Sequence, residues 1–194
     1  MLLKVNGYHS ALDRKADTKL GLLHTIFFHR IFTPLYPSTH DVLDLTLPYV
    51  SEDDVEDLVD KRAASLVRQL DTASTQTSPQ YNSNKNGRGQ LVLQFLEKKR
   101  RKSGWFVTKA DEETVWENWI IDVTLMSARG EIEAGRNRRR MERSLQEAAM
   151  KVVNTVNGHK SHIPPITTNE ANPFPYQILV NPKNDGWGQK IGIF

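Results

Sequence analysis

"LVLQFLEKKRRKSGWFVTKADEETVWENWIIDVTL", residues 91–125, decides the fold. Leu91, Leu93 and Phe95 alternate with other residues at the start of this stretch, and Trp119, Ile121, Val123 and Leu125 alternate at its end. A period of two is the mark of a β-strand with one buried face. Two such runs with no helix between them read as an antiparallel hairpin. What joins them is a basic run at residues 98–102, a Ser-Gly break, and then Trp105 and Phe106 side by side ahead of a polar and acidic segment. In a strand, neighbouring side chains point to opposite faces, so at most one of these two rings could enter a sheet core. In a loop both can project together. Large exposed aromatics reduce solubility unless they are used, and they are common anchors of protein interfaces.

Working outward, Leu3 and Val5, with Tyr8, mark a short first strand. From Asp13 to Phe32 apolar residues recur at Ala16, Leu20, Leu23, Phe27 and Ile31, with Leu22 and Ile26 on the other side, which predicts a buried helix. Leu43, Leu45, Leu47 and Tyr49 alternate as one half-buried strand, and Pro48 suits an edge. Ser51 to Asp54 forms a capping signal with an acidic first turn. Val55, Leu58, Val59, Ala63, Leu66, Val67 and Leu70 follow at helical spacing. A third helix places Met141, Leu145, Ala148, Ala149, Val152, Val153 and Val156 on one face, with Gly158 at a C-terminal cap. Tyr176 to Val180 reads as a strand, and a turn signal could return residues 190–194 as its partner. Residues 71–89, rich in Ser, Thr, Asn and Gln, read as a mobile polar loop, and residues 98–113 as a second, basic and aromatic loop. The order of elements predicts an α+β fold, with three helices covering one face of a largely antiparallel sheet.

At 194 residues the chain is expected to form a single domain, residues 1–194. Its 38% hydrophobic and 25% charged residues suit a soluble globular protein. The absence of cysteine excludes disulfides, thiolate nucleophiles and Cys-ligated zinc. The longest apolar stretch carries His24, His29 and Arg30 and is too short and too charged to span a membrane. A cytoplasmic location is expected.

No phosphate-binding loop, dinucleotide fingerprint or nucleophile elbow occurs, so no catalytic residue and no cofactor are predicted. His159 and His162 sit beside prolines without neighbouring carboxylates, and no metal site is assigned to them. His24, near the apolar stripe of its helix, is expected to be a satisfied semi-core histidine. Binding is the remaining class, and two forms of it stand open. Residues 98–102 and 136–140 hold nine of the 26 cationic residues, which could serve nucleic acid or anionic lipid. The alternative is protein recognition. At about 100° per residue, Arg136, Arg139, Arg143, Glu147 and Met150 lie opposite the apolar stripe of the third helix. Met150 is a large apolar group isolated among charges there.

Four stretches, in this order, resemble the autophagy-related protein 101 family. They are "GLLHTIFFHRIF", "LVLQFLEKKRRKSGWF", "VWENWIIDVTL" and "PFPYQILV". The resemblance implies a HORMA domain and a non-enzymatic adaptor in the complex that starts autophagosome formation, acting at the autophagosome formation site. It implies a heterodimer with the HORMA domain of autophagy-related protein 13, which the adaptor stabilises, joined partly through the third helix and so through Arg136, Arg139, Arg143, Glu147 and Met150. It also implies membership of the autophagy-initiation kinase complex and recruitment of downstream factors by an exposed Trp-Phe finger, here Trp105 and Phe106. Animal members commonly place a proline between these two aromatics, whereas here they are adjacent. No nucleic acid is expected as a partner under this reading, and any membrane association would be peripheral.

Overall fold

The hairpin anticipated around the basic run forms the middle of the main sheet. A computed structural model of the chain describes residues 1–8, 14–75, 87–99, 112–126, 128 and 130–182. Strand β4 (Arg88–Lys99) and strand β5 (Glu112–Met126) pair antiparallel, with Leu93 opposite Trp119 and Lys98 opposite Glu113. β1 (Leu2–Tyr8) lies parallel to β5, and β6 (Tyr176–Val180) antiparallel to β4, giving the order β1-β5-β4-β6. The sheet is therefore mostly antiparallel with one parallel pair. The inward residues are the alternating ones: Leu3, Val5, Leu91, Leu93, Phe95, Trp119, Ile121, Val123, Leu125 and Ile178 are all buried in one core.

Three helices cover that face. α1 (Arg14–Arg30) buries Leu22, Leu23, Ile26 and Phe27 completely, as expected of a helix apolar on both sides. α2 (Asp53–Thr75) starts with acidic residues at its positive end and buries Val55, Val59, Ala63, Leu66 and Leu70. α3 (Glu131–Gly158) buries Met141, Leu145, Ala148, Ala149, Val152 and Val156. Val153 is only partly buried, at the margin of that stripe. This α+β arrangement agrees with the HORMA fold that the family resemblance implies.

Three expectations are corrected. The alternation at Leu43, Leu45, Leu47 and Tyr49 is not one strand but the turn and second arm of a hairpin, β2 (Ser38–Val42) with β3 (Leu45–Tyr49). Leu43 turns the chain at φ 59, a left-handed conformation that disfavours leucine. Its side chain packs on the core, and the Thr46 hydroxyl donates to Asp41 Oδ1 at 2.6 Å across the turn, which offsets the strain. The hairpin then seats on α1 at Gly21, where a Cβ would come within 2.9 Å of Leu47 and 3.0 Å of Val42. Second, the polar loop is shorter than residues 71–89, because α2 runs to Thr75 and β4 begins at Arg88. Residues 76–86 lie outside the described residues. Strand pairing likewise takes in both ends of the expected basic loop, at Lys98–Lys99 and Glu112–Glu113, and residues 100–111 lie outside the described residues. Third, Gly158 closes α3 as its last helical residue, and the cap is His159, whose N–H donates to the Thr155 carbonyl at 3.0 Å. His24 is buried, stacks on Tyr49 at 4.1 Å and bonds the Val50 backbone, as a core histidine should, while its Nδ1 has no hydrogen-bond partner among the described residues. The proposed return strand at residues 190–194 lies outside the described residues.

Candidate protein-interaction site

The outward face of α3 follows from its inward one. With the buried stripe fixed against β1 and the sheet, Arg136, Arg139, Arg143, Glu147 and Met150 all emerge into solvent. Met150 is 54% exposed, a large cost in apolar surface for a helix that had polar alternatives. The structure adds a residue that the sequence reading passed over. Ile132 is 83% exposed. It lies 18 residues before Met150, about five full turns at 100° per residue, so the two point the same way some ~27 Å apart. Extending the helical wheel one turn earlier than Arg136 would have found it.

Between these two apolar groups the face is cationic. Arg136, Arg139, Arg140 and Arg143 are exposed, and none forms an ion pair among the described residues. Arg138 behaves differently. Its guanidinium reaches Glu142 at 2.8 Å and Asp44 at 3.4 Å, tying α3 to the turn of the β2–β3 hairpin. The sequence places these arginines close together, and the structure divides them into one brace and four with no ion pair among the described residues.

Trp105 and Phe106 lie outside the described residues, but the base from which their segment departs is well defined. At the ends of β4 and β5, Lys98 stands opposite Glu113, and its ammonium pairs with Glu170 at 3.2 Å. Part of the basic run at residues 98–102 is thus already matched by carboxylates. A register shift between Phe95 and Leu96 brings Trp116 against Phe95, Phe174 and His162, with ring centres 5.9, 5.1 and 5.6 Å away. Phe174 in turn meets Phe32. This aromatic cluster braces the end of the sheet where β4 stops and β5 begins. Beside it, Arg30 at the end of α1 forms a buried ion pair with Glu117 of β5 at 2.8 Å, and Trp119 Nε1 donates to the same carboxylate.

The histidine pair does not converge. The His159 ring bonds the Thr155 carbonyl of its own helix at 3.0 Å, and His162 packs on Trp116. Among the described residues no three His, Cys, Asp or Glu side chains lie close enough to hold a metal ion. The outward face of α3 is thus built from exposed apolar and cationic side chains, and no convergent set of polar groups lies on it among the described residues.

A family model of autophagy-related protein 101 matches residues 13–170, most of the chain. The chain belongs to the autophagy-related protein 101 family. Its relatives include autophagy-related protein 101 of Schizosaccharomyces pombe, 29% identical over 178 residues that cover 91% of this chain and 85% of the relative. The protein of the same name from Arabidopsis thaliana is 27% identical over 184 residues, covering 84% and 79% respectively. That from Xenopus laevis is 26% identical over 157 residues, covering 78% and 70%. Membership of a family named for autophagy supports a role in that process.

Proposed function

We propose that this chain is a non-enzymatic adaptor of autophagy initiation. It pairs with the HORMA domain of autophagy-related protein 13 through the outward face of α3 and recruits downstream factors through Trp105 and Phe106. The observation that carries the reading is the pairing of exposed Met150 and Ile132 with four arginines that have no ion-pair partner among the described residues. Unpaired cations around apolar anchors suit a partner protein surface with a hydrophobic centre and an acidic rim. Nucleic acid would gain little from the two methyl-rich groups, and the cationic run near β4 is partly neutralised by Glu170. No cofactor enters this reading. No described helix is long and apolar enough to cross a membrane, so attachment at the autophagosome formation site would be through protein partners or peripheral contact.

The test is charge reversal of Arg139 and Arg143 together with Met150→Asp, followed by titration against the partner HORMA domain. Rim charges should mainly slow association, and loss of Met150 should speed dissociation, for a combined weakening of at least about 100-fold. A correctly folded triple variant that binds as tightly as the wild type would remove α3 from the interface.

A further inference from the structure

A second feature lies where α3 meets the sheet edge. β1 is the edge strand, and beside it runs a depression of about 240 Å³ lined by Leu2, Leu3, Lys4, Glu147, Ala148 and Lys151. Leu3 and Ala148 are buried and form its floor, while Leu2 is 43% exposed at its wall. Glu147 belongs both to this groove and to the outward face of α3, so the two surfaces are continuous.

An edge strand ordinarily offers its free backbone groups to another strand. Here α3 already holds them at two points. Lys151 Nζ donates to the Leu2 carbonyl at 2.9 Å, and the Asn6 N–H donates to Ser144 Oγ at 3.1 Å. The pairing direction of β1 is thus obstructed by side chains of the helix, and a ligand enters the groove with a side chain rather than with its backbone. The charges lining the groove are Lys4, Lys151 and Glu147, with Arg143 one turn up the helix and Asp122 opposite Lys4 on β5, which leaves the cations in excess. That balance favours an acidic surround. The apolar floor is recessed below this rim, which suits a projecting side chain on a protein and not the flat face of a bilayer.

We propose that the groove between β1 and the C-terminal half of α3 is a second anchor point of the α3 docking face. It receives an apolar side chain projecting from an acidic surface of the partner protein. This rests on the reading of α3 as a partner interface, and the experiment separates the two. Leu2→Lys places a charge at the groove wall without touching the outward stripe of α3, and Lys4→Glu reverses a rim charge. Binding kinetics are measured against the purified partner HORMA domain, beside the Arg139, Arg143 and Met150 variant. Leu2→Lys should speed dissociation about tenfold with little change in association. Lys4→Glu should slow association about threefold or more at low salt and less at high salt. If melting shows that Leu2→Lys disturbs the strand, Leu2→Gln, which keeps its length without the charge, should still speed dissociation. Unchanged dissociation in a folded Leu2 variant, with binding lost in the α3 variant, overturns the groove and leaves the α3 interface standing. Unchanged binding in both, or no binding by the wild type, overturns both.

Discussion

Protonation of His24 should weaken the fold on the acid side of neutrality. The imidazole sits between α1 and the β2–β3 hairpin, 1% exposed and stacked on Tyr49 at 4.1 Å with 25° between the planes. The hydroxyl of Tyr49 is itself bonded to the Glu56 carboxylate, and His40 lies against the same ring. Burial is the main cause that lowers the His24 pKa from its ordinary 6.5 to about 4, with Glu56 opposing it and His40 adding to it. Desolvation penalises the charged ring, and the bond to the Val50 backbone, like the Glu56 carboxylate, offsets it only in part. In the unfolded chain the ring protonates near 6.5, so on acidification the unfolded state takes up the proton first. Stability conferred by neutral His24 is therefore complete above about pH 6.5 and falls as the pH drops toward 4, below which this group adds no further loss. At about 1.36 kcal/mol per pH unit, the gap from 6.5 to about 4 bounds the loss near 3 kcal/mol. The assay is urea denaturation from pH 7.5 to 4, comparing the wild type with His24→Phe, which keeps a ring against Tyr49 but cannot titrate. The difference between the two curves should change by 2–3 kcal/mol, on the order of the bound above, across that range. Parallel curves would mean that water reaches the His24 ring in the native state, and the reasoning from burial would be wrong.

Glu117→Ala should cost about 3–5 kcal/mol in denaturant titration, because it strands Arg30 as an unpaired buried charge and removes the acceptor of Trp119. Replacing both partners, as Arg30→Met with Glu117→Leu, should cost much less, and a single variant that loses under 1 kcal/mol would refute the buried pair. Replacing Trp105 and Phe106 with alanine should leave the melting temperature unchanged and abolish capture of downstream autophagy factors from cell extract. A stability loss of about 3 kcal/mol or more would assign these rings to the core instead.

How far the sequence disclosed the fold depended on whether one period dominated each segment. In β4 and β5 the alternation of Leu91, Leu93 and Phe95 with Trp119, Ile121, Val123 and Leu125 admits one pairing, and the observed register sets Leu93 against Trp119. α3 was equally plain, since its heptad-like stripe has one answer. The β2–β3 hairpin was hidden because the alternation runs straight through its turn. Leu43 carries no turn chemistry of its own, yet it sits at positive φ with its side chain packed on the core. The parallel placement of β1 beside β5 was not legible either, for a short strand shows which face is buried but not which neighbour it chooses. The buried Arg30–Glu117 pair joins residues 87 positions apart, and nothing local to either marks it.

The candidate site shows the same division more sharply. Periodicity fixes the inside of α3, and whatever is left is outside by subtraction, which is how Arg139, Arg143 and Met150 could be assigned to one surface. Subtraction says nothing about what stands beside that surface. Leu2 and Lys4 come from the opposite end of the chain, and only the pairing of β1 with β5 and the packing of α3 along that edge bring them next to Glu147 and Lys151. The hydrogen bonds from Lys151 to Leu2 and from Asn6 to Ser144 matter for the same reason. They turn an edge that could accept any strand into one that accepts a shaped, charged counterpart. Selectivity for one partner is therefore better sought where the helix closes the sheet edge than on the arginine stripe, because exposed arginines attract every acidic surface alike.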